Sequence, residues 1–166
     1  MKTAEYWIKN LNLTAHPEGG FFKETYRSAE HASNSSLPDR FRGDRNFSTS
    51  IYFLLRSQDR SLFHRIQSDE IWYYHAGSSL TLYMINDEGL KTYRLGPEAD
   101  RGESLQIIIP ATVWFGATVN EEDSFTLSSC NVSPGFDFDD FELADRSSML
   151  KSFPDQASII EQLTKV

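Results

Sequence analysis

The sequence predicts a single all-β domain, a barrel or sandwich of short strands with a short helix at each end. Three observations carry this reading. Apolar residues follow a helical period before Pro17 and a period of two from Phe21 onward. Strand-like runs then recur at close intervals, separated by short turn-forming breaks. The 166 residues show no internal repeat and no linker, so one domain over 1–166 with one main core is expected.

Thr3 to Leu11 reads as the first helix, with Tyr6, Trp7 and Leu11 able to share an apolar stripe. The segment HPEGG, His16 to Gly20, ends it, because Pro17 and the paired glycines favour a turn. Its first reading is structural; the alternative puts Glu18 and the glycine amides at a pocket rim. FFKETYRS then alternates, with Phe22, Glu24 and Tyr26 on one face and Phe21, Lys23, Thr25 and Arg27 on the other. On that parity Glu24 and Tyr26 point into a pocket, and Arg27 faces out toward an ion pair or a subunit contact. The polar stretch from His31 to Asn46 is the candidate for a mobile flap.

From Phe47 to Val132 the strand-like runs follow one another, including STSIYFLL, FHRI, EIWYYHAG, LTLYMI and VWFGATV. Asn86-Asp87-Glu88-Gly89, set between Leu82–Ile85 and Leu90, signals a hairpin. GFDFDDFEL, Gly135 to Leu143, alternates aromatic and acid. Phe136, Phe138 and Phe141 are expected to anchor this loop on the barrel, with the acids solvated, paired with an arginine such as Arg40, Arg42 or Arg45, or holding a cation. Pro154 to Val166 reads as a closing helix with Ile159, Ile160 and Leu163 as its stripe.

Bulk chemistry narrows the function. The net charge of -8 repels a phosphate backbone, so no nucleic-acid partner is expected. The single cysteine, Cys130, rules out an internal disulfide and a cysteine-based zinc site, and its default is a buried, inert thiol. The first residues carry Glu5 and no apolar run, so no signal peptide is expected. No stretch approaches membrane-spanning length. A cytoplasmic location without a membrane partner is the resulting expectation.

The densest polar signal is SLFHRIQSDEIWYYHAG, Ser61 to Gly77. Alternation puts His64 and Ile66 on one face, and Glu70, Trp72 and Tyr74 on one face after the turn at Gln67 and Ser68. If the two strands pair, His64 and Glu70 point into the same interior. Imidazole titrates near neutrality, so a neighbouring carboxylate can tune it as base or acid. The same two residues could also be two metal ligands. His75 has the opposite parity and should face away.

HPEGGFFKETYRS, STSIYFLL, FHRIQSDEIWYYHAG, IIIPATVWFGA and SPGFDFDDFEL occur in this order. These blocks resemble the cupin family known as DUF985 or cupin 5. The resemblance spans nearly the whole chain. It implies an RmlC-like cupin jelly-roll barrel with short terminal helices, and a homodimer. Of the wider cupin metal motif the chain keeps His64, Glu70 and Gly77, but Ile66 and Phe115 stand where two further histidines belong. Neither side chain can bind a metal, so neither a metal nor another cofactor is expected.

What remains resembles metal-independent cupins that move protons beside a carbonyl, the sugar-nucleotide epimerases among them. On that analogy His64 is the base, Glu70 orients it, and Tyr26, Tyr52 or Tyr74 supplies the acid. The expected catalytic set is His64, Glu70 and Tyr26. Glu24, Ser50, Tyr52, Trp72, Tyr74 and Trp114 are the expected ligand contacts. The expected ligand is a small polar metabolite, with a sugar nucleotide as one candidate. The alternatives are a non-catalytic binding barrel, or a metal-dependent cupin with atypical ligands.

Overall fold

The structure is a computed structural model and describes residues 2–165. Helix α1 (Ala4–Leu11) opens the chain, with Thr3 as its cap: the Thr3 hydroxyl accepts from the Tyr6 amide. Strands β1 (Thr14–Ala15), β2 (Phe21–Arg27), β3 (His31–Ala32) and β4 (Arg45–Asn46) follow. The long strands are β5 (Thr49–Arg56), β6 (Ser61–Arg65), β7 (Asp69–Gly77), β8 (Leu80–Asn86) and β9 (Gly89–Leu95). Then come β10 (Gln106–Ile109), β11 (Trp114–Val119), β12 (Phe125–Ser133) and the short β13 (Glu142–Leu143). Helices α2 (Arg146–Ser152) and α3 (Ala157–Gln162) close the chain.

The strands form two antiparallel sheets, in the orders β1-β2-β5-β12-β7-β10 and β13-β6-β11-β8-β9. The sheets bury their inner faces against each other. Phe53, Leu55 and Trp72 from the first meet Leu80, Leu82, Met84 and Phe115 from the second. Alternation decides which side chains enter this layer. On β5, Phe53 and Leu55 point inward, while Leu54 packs outward with Leu13 and the α1 side chains Trp7, Ile8 and Leu11. A third cluster covers the outside of the second sheet, where Phe63 and Ile85 meet Met149, Ile160 and Leu163 of the C-terminal segment. The strand pattern predicts the two packed sheets, and the resemblance to the cupin family predicts their jelly-roll barrel.

The hairpin at Asn86–Gly89 is present, with Asn86 opposite Gly89 where β8 turns into β9. Two boundaries differ from the sequence reading. A helix not expected from the sequence, α2, precedes Pro154, and the expected helix begins as a 3-10 turn over Pro154–Gln156 that leads into α3. Ser and Lys in Arg146–Ser152 mask the α2 stripe, since only Met149 is buried there. Val166, within the expected helix, lies outside the described residues. The His31–Asn46 stretch carries the β3–β4 ribbon and is tied to the barrel. Arg45 forms a two-pronged ion pair with Asp140, Nε to Oδ2 and Nη2 to Oδ1 both at 2.7 Å, with both side chains buried. That pair fixes the aromatic loop at 135–141 over one end of the barrel.

Candidate active site

The HPEGG turn feeds the interior. Its backbone holds φ +111° at Gly19 and +74° at Gly20, a region open to glycine at little cost. A Cβ on Gly19 would collide with the Arg60 carbonyl, so the turn lies against the β5–β6 connection. The Leu62 amide donates to the Glu18 carbonyl at 2.9 Å, which locks Glu18 beside β6. Glu18 is only 5% exposed, and its side chain enters the barrel next to His64.

His64 has both ring nitrogens engaged. Nδ1 donates to the Leu62 carbonyl at 2.7 Å, and Nε2 lies 2.8 Å from Glu18 Oε2. The Leu62 carbonyl can only accept, so Nδ1 carries a proton, and the raised imidazole beside a lowered Glu18 carboxyl puts the second proton on Nε2 with Glu18 as the carboxylate. Burial works against both charges, but their mutual attraction and hydrogen bond win. The imidazole is held above its ordinary range, and the Glu18 carboxyl below its own. The Ser61 hydroxyl donates to Glu18 Oε1 at 2.7 Å and fills its second oxygen. The other histidine of the turn, His16, is pushed down by burial, against the pull of Glu18.

Glu70 is the second buried carboxyl, 7% exposed, at the second position of β7 after the Gln67–Ser68 bend. Trp72 Nε1 donates to its Oε1 at 2.8 Å, and Cys130 lines the same cavity. No cation is paired with it among the described residues. Burial therefore dominates and lifts its pKa to about 7, with the nearby Glu18 charge pushing the same way and His64 opposing. The Cys130 thiol is itself driven well above its ordinary value by burial and by Glu70, so it is inert as a nucleophile.

These groups line one cavity of about 260 Å³. Its floor and walls include Phe22, Ile51, Phe53, Ile66 and Val132, and its mouth is bounded by Glu24, Arg27 and Phe136 to Phe138. Arg27 organises the mouth. It grips Glu24 with Nε and Nη2 at 3.0 and 2.8 Å, and its Nη1 donates to Asn46 Oδ1 and the Phe136 carbonyl at 2.8 and 3.0 Å.

Of the residues the sequence nominated, His64, Glu70, Glu24 and Trp72 line this cavity. Tyr26 does not: it is 54% exposed. A bulge between Glu24 and Tyr26 in the β2–β5 register reverses the parity, so Tyr26 turns out and Arg27 takes the inward place. Ser50 and Tyr52 occupy the outward positions of β5, and Thr49, Ile51 and Phe53 the inward ones. Tyr52 instead packs with the α1 cluster. Tyr74 points inward but lies beyond the cavity, where its hydroxyl donates to the Gly77 carbonyl at 2.6 Å. Trp114 faces outward under Arg65, whose guanidinium sits 4.4 Å from its ring, because Phe115 takes the inward position on β11.

The partner assigned to His64 also changes. Glu18, read first as part of a structural turn, makes the hydrogen bond, and Glu70 interacts with His64 only through its charge. A fully engaged imidazolium has no lone pair with which to accept a proton, so His64 is not the free base expected from the analogy. The missed signal was in the sequence: a carboxylate between a proline and two glycines, at the point where the chain enters the first long strand.

The donor set does not suit the usual cupin metal. Ile66 and Phe115 offer no lone pair, the Phe115 ring lies 4.1 Å from the His64 ring, and both His64 nitrogens are bonded within the protein. Among the described residues no group of three or more His, Cys, Asp or Glu is arranged to hold a metal ion.

Comparison with known proteins agrees with the fold. The chain is 33% identical over 142 residues to an uncharacterized protein of Saccharomyces cerevisiae, covering 80% of this chain and 71% of that one. A hypothetical protein from Leishmania major superposes with a TM-score of 0.90 at 36% identity, over 99% of this chain and 100% of the other. A Shewanella oneidensis protein does so with 0.89 at 42%, over 99% of each. Oxalate decarboxylase from Bacillus subtilis shares the fold alone, at 14% identity and a TM-score of 0.54, over 90% of this chain and 36% of that one. No helix among the described residues is long and apolar enough to cross a membrane. Residues 5–144 match the family described as cupin superfamily (DUF985), and the chain belongs to that family.

Proposed function

We propose that the barrel binds a small metabolite and moves a proton on it without a metal, with Glu70 as the acid–base group. The observation that carries this is a buried carboxyl, open to a cavity, whose pKa is raised to about 7 by burial. A group poised there is ready both to take and to return a proton at neutral pH. Trp72 Nε1 fixes one carboxyl oxygen. In the isomerase-like reading, the Glu70 carboxylate removes a proton from a carbon beside a carbonyl, and the electron pair moves onto the carbonyl oxygen. The imidazolium of His64, held by Glu18, stabilises that negative charge through space. The Glu70 carboxylic acid then returns the proton to carbon.

The cavity, at about 260 Å³, falls below the roughly 300–1,000 Å³ that encloses drug-sized ligands. That favours a compact substrate over a whole sugar nucleotide. A second reading, a non-catalytic binding barrel, is favoured by one observation: no tyrosine lines the cavity among the described residues, so Glu70 has no second proton donor of that kind.

Incubation in heavy water with small aldoses, ketoses, amino sugars and amino acids separates the two. On the acid–base reading, proton NMR shows the signal beside the carbonyl of one compound fading with wild-type protein. The same compound still binds Glu70→Gln but no longer exchanges. Exchange at the wild-type rate in Glu70→Gln would refute the role given to Glu70.

A further inference from the structure

The cavity wall holds chemistry that proton transfer by Glu70 does not use. Four carboxyl groups, Glu18, Glu24, Glu70 and Asp137, face two cations, His64 and Arg27. Glu18 is committed to His64 at 2.8 Å and Glu24 to Arg27 at 2.8 Å, so those charges cancel in pairs. Asp137 and Glu70 remain: Asp137 Oδ1 accepts from the Asp139 amide at 2.9 Å and Glu70 Oε1 from Trp72 Nε1 at 2.8 Å, but neither forms an ion pair among the described residues. The surplus is negative whether or not Glu70 carries its proton.

Around this surplus stand aromatic rings. Phe136 and Phe138 meet edge to face at 4.9 Å, and Phe138 and Phe141 at 6.1 Å and 71°. Phe22, Phe53 and Trp72 line the same cavity further in. Phe138 remains 55% exposed although it belongs to the cavity wall, which leaves part of the ring open to a ligand at the mouth. Ring faces carry negative quadrupoles and attract cations most strongly where water is excluded. An anionic ligand would meet the surplus negative charge, while a neutral one would leave it without a counter-ion.

We infer that the ligand of this cavity carries a small organic cation, an ammonium group seated against the Phe136 and Phe138 rings at the mouth with Asp137 as its counter-charge. The inference rests on the reading of the barrel as a small-molecule site, and names the class of molecule it takes.

Choline and 3,3-dimethylbutan-1-ol test it, since they share a shape and differ in the charged nitrogen. Titration calorimetry of the wild-type protein at low salt is expected to give choline an affinity about ten-fold higher or more. Asp137→Asn and Phe138→Ala should each weaken choline binding several-fold and leave the neutral analogue nearly unaffected. Equal or tighter binding of the neutral analogue would overturn the assignment. So would failure to bind millimolar choline, or choline binding that neither substitution changes. Proton exchange on an uncharged sugar, lost in Glu70→Gln, would in that event leave the role of Glu70 intact and discard only the cationic ligand.

Discussion

Glu70→Gln is expected to make the protein more stable than wild type above pH 7, by about 2–3 kcal/mol at pH 8.5. The folded-state pKa of Glu70 is raised from 4.5 to about 7, because burial penalises the carboxylate. A raised carboxyl stabilises the fold fully below its unfolded value, near 4.5. That contribution fades as pH climbs through about 7, where the folded protein must surrender the proton. Glutamine never ionises, and its amide oxygen can still accept from Trp72 Nε1, so the variant escapes this loss. His64 forfeits some attraction when the carboxylate goes, which trims the gain. Urea denaturation at a series of pH values should show two curves that meet below about pH 4.5, separate between about 4.5 and 7, and stay apart above 7. A separation that does not change across this range would show that Glu70 titrates as an ordinary surface carboxyl.

Glu18→Gln should have the larger cost. It leaves the His64 ring buried, 3% exposed, without the carboxylate that holds its second proton. Breaking a buried ion pair by removing one member typically costs about 3–5 kcal/mol. The penalty depends on pH with a definite sign. In wild type the imidazole is raised, so its contribution is present below its ordinary 6.5 and is lost as pH rises through the folded value. In the variant the ring is driven toward the neutral form. The folded state then resists a proton that the unfolded chain accepts, and stability drops as pH falls below about 6.5. Ring-proton NMR should find the His64 titration moved downward relative to wild type. An unmoved titration would mean that Glu18 is not its partner.

The sequence shows the barrel plainly and the site only in part, and the reasons are local. Alternation holds on β6 at His64 and on β7 at Glu70 and Trp72, so these three fall inward where a period of two puts them. Apart from Ser50 and Tyr52, nominated on the outward face of β5, the errors arise where a period fails. One extra residue in β2 exchanges Tyr26 for Arg27, and no residue type in KETYR marks that bulge. Trp114 and Phe115 are alike in hydrophobicity, and only the pairing of Phe115 with His64 across β6 and β11 decides which enters the barrel. Glu18 lies on no strand, so alternation is silent about it. Its role comes from backbone contact between the HPEGG turn and β6, a tertiary feature. The Arg45–Asp140 clamp is likewise a pairing between residues far apart in the chain, chosen by the fold from several candidate arginines.

Both carboxyl assignments depend on one property of the cavity: it is dry enough to keep Glu70 protonated near neutrality while an ion pair persists beside it. A carbon-13 NMR titration of the Glu70 side-chain carboxyl measures this directly. A midpoint at about 7 is the expected result. A midpoint near the ordinary 4.5 would mean that water reaches the group freely, and the acid–base role would fall with it.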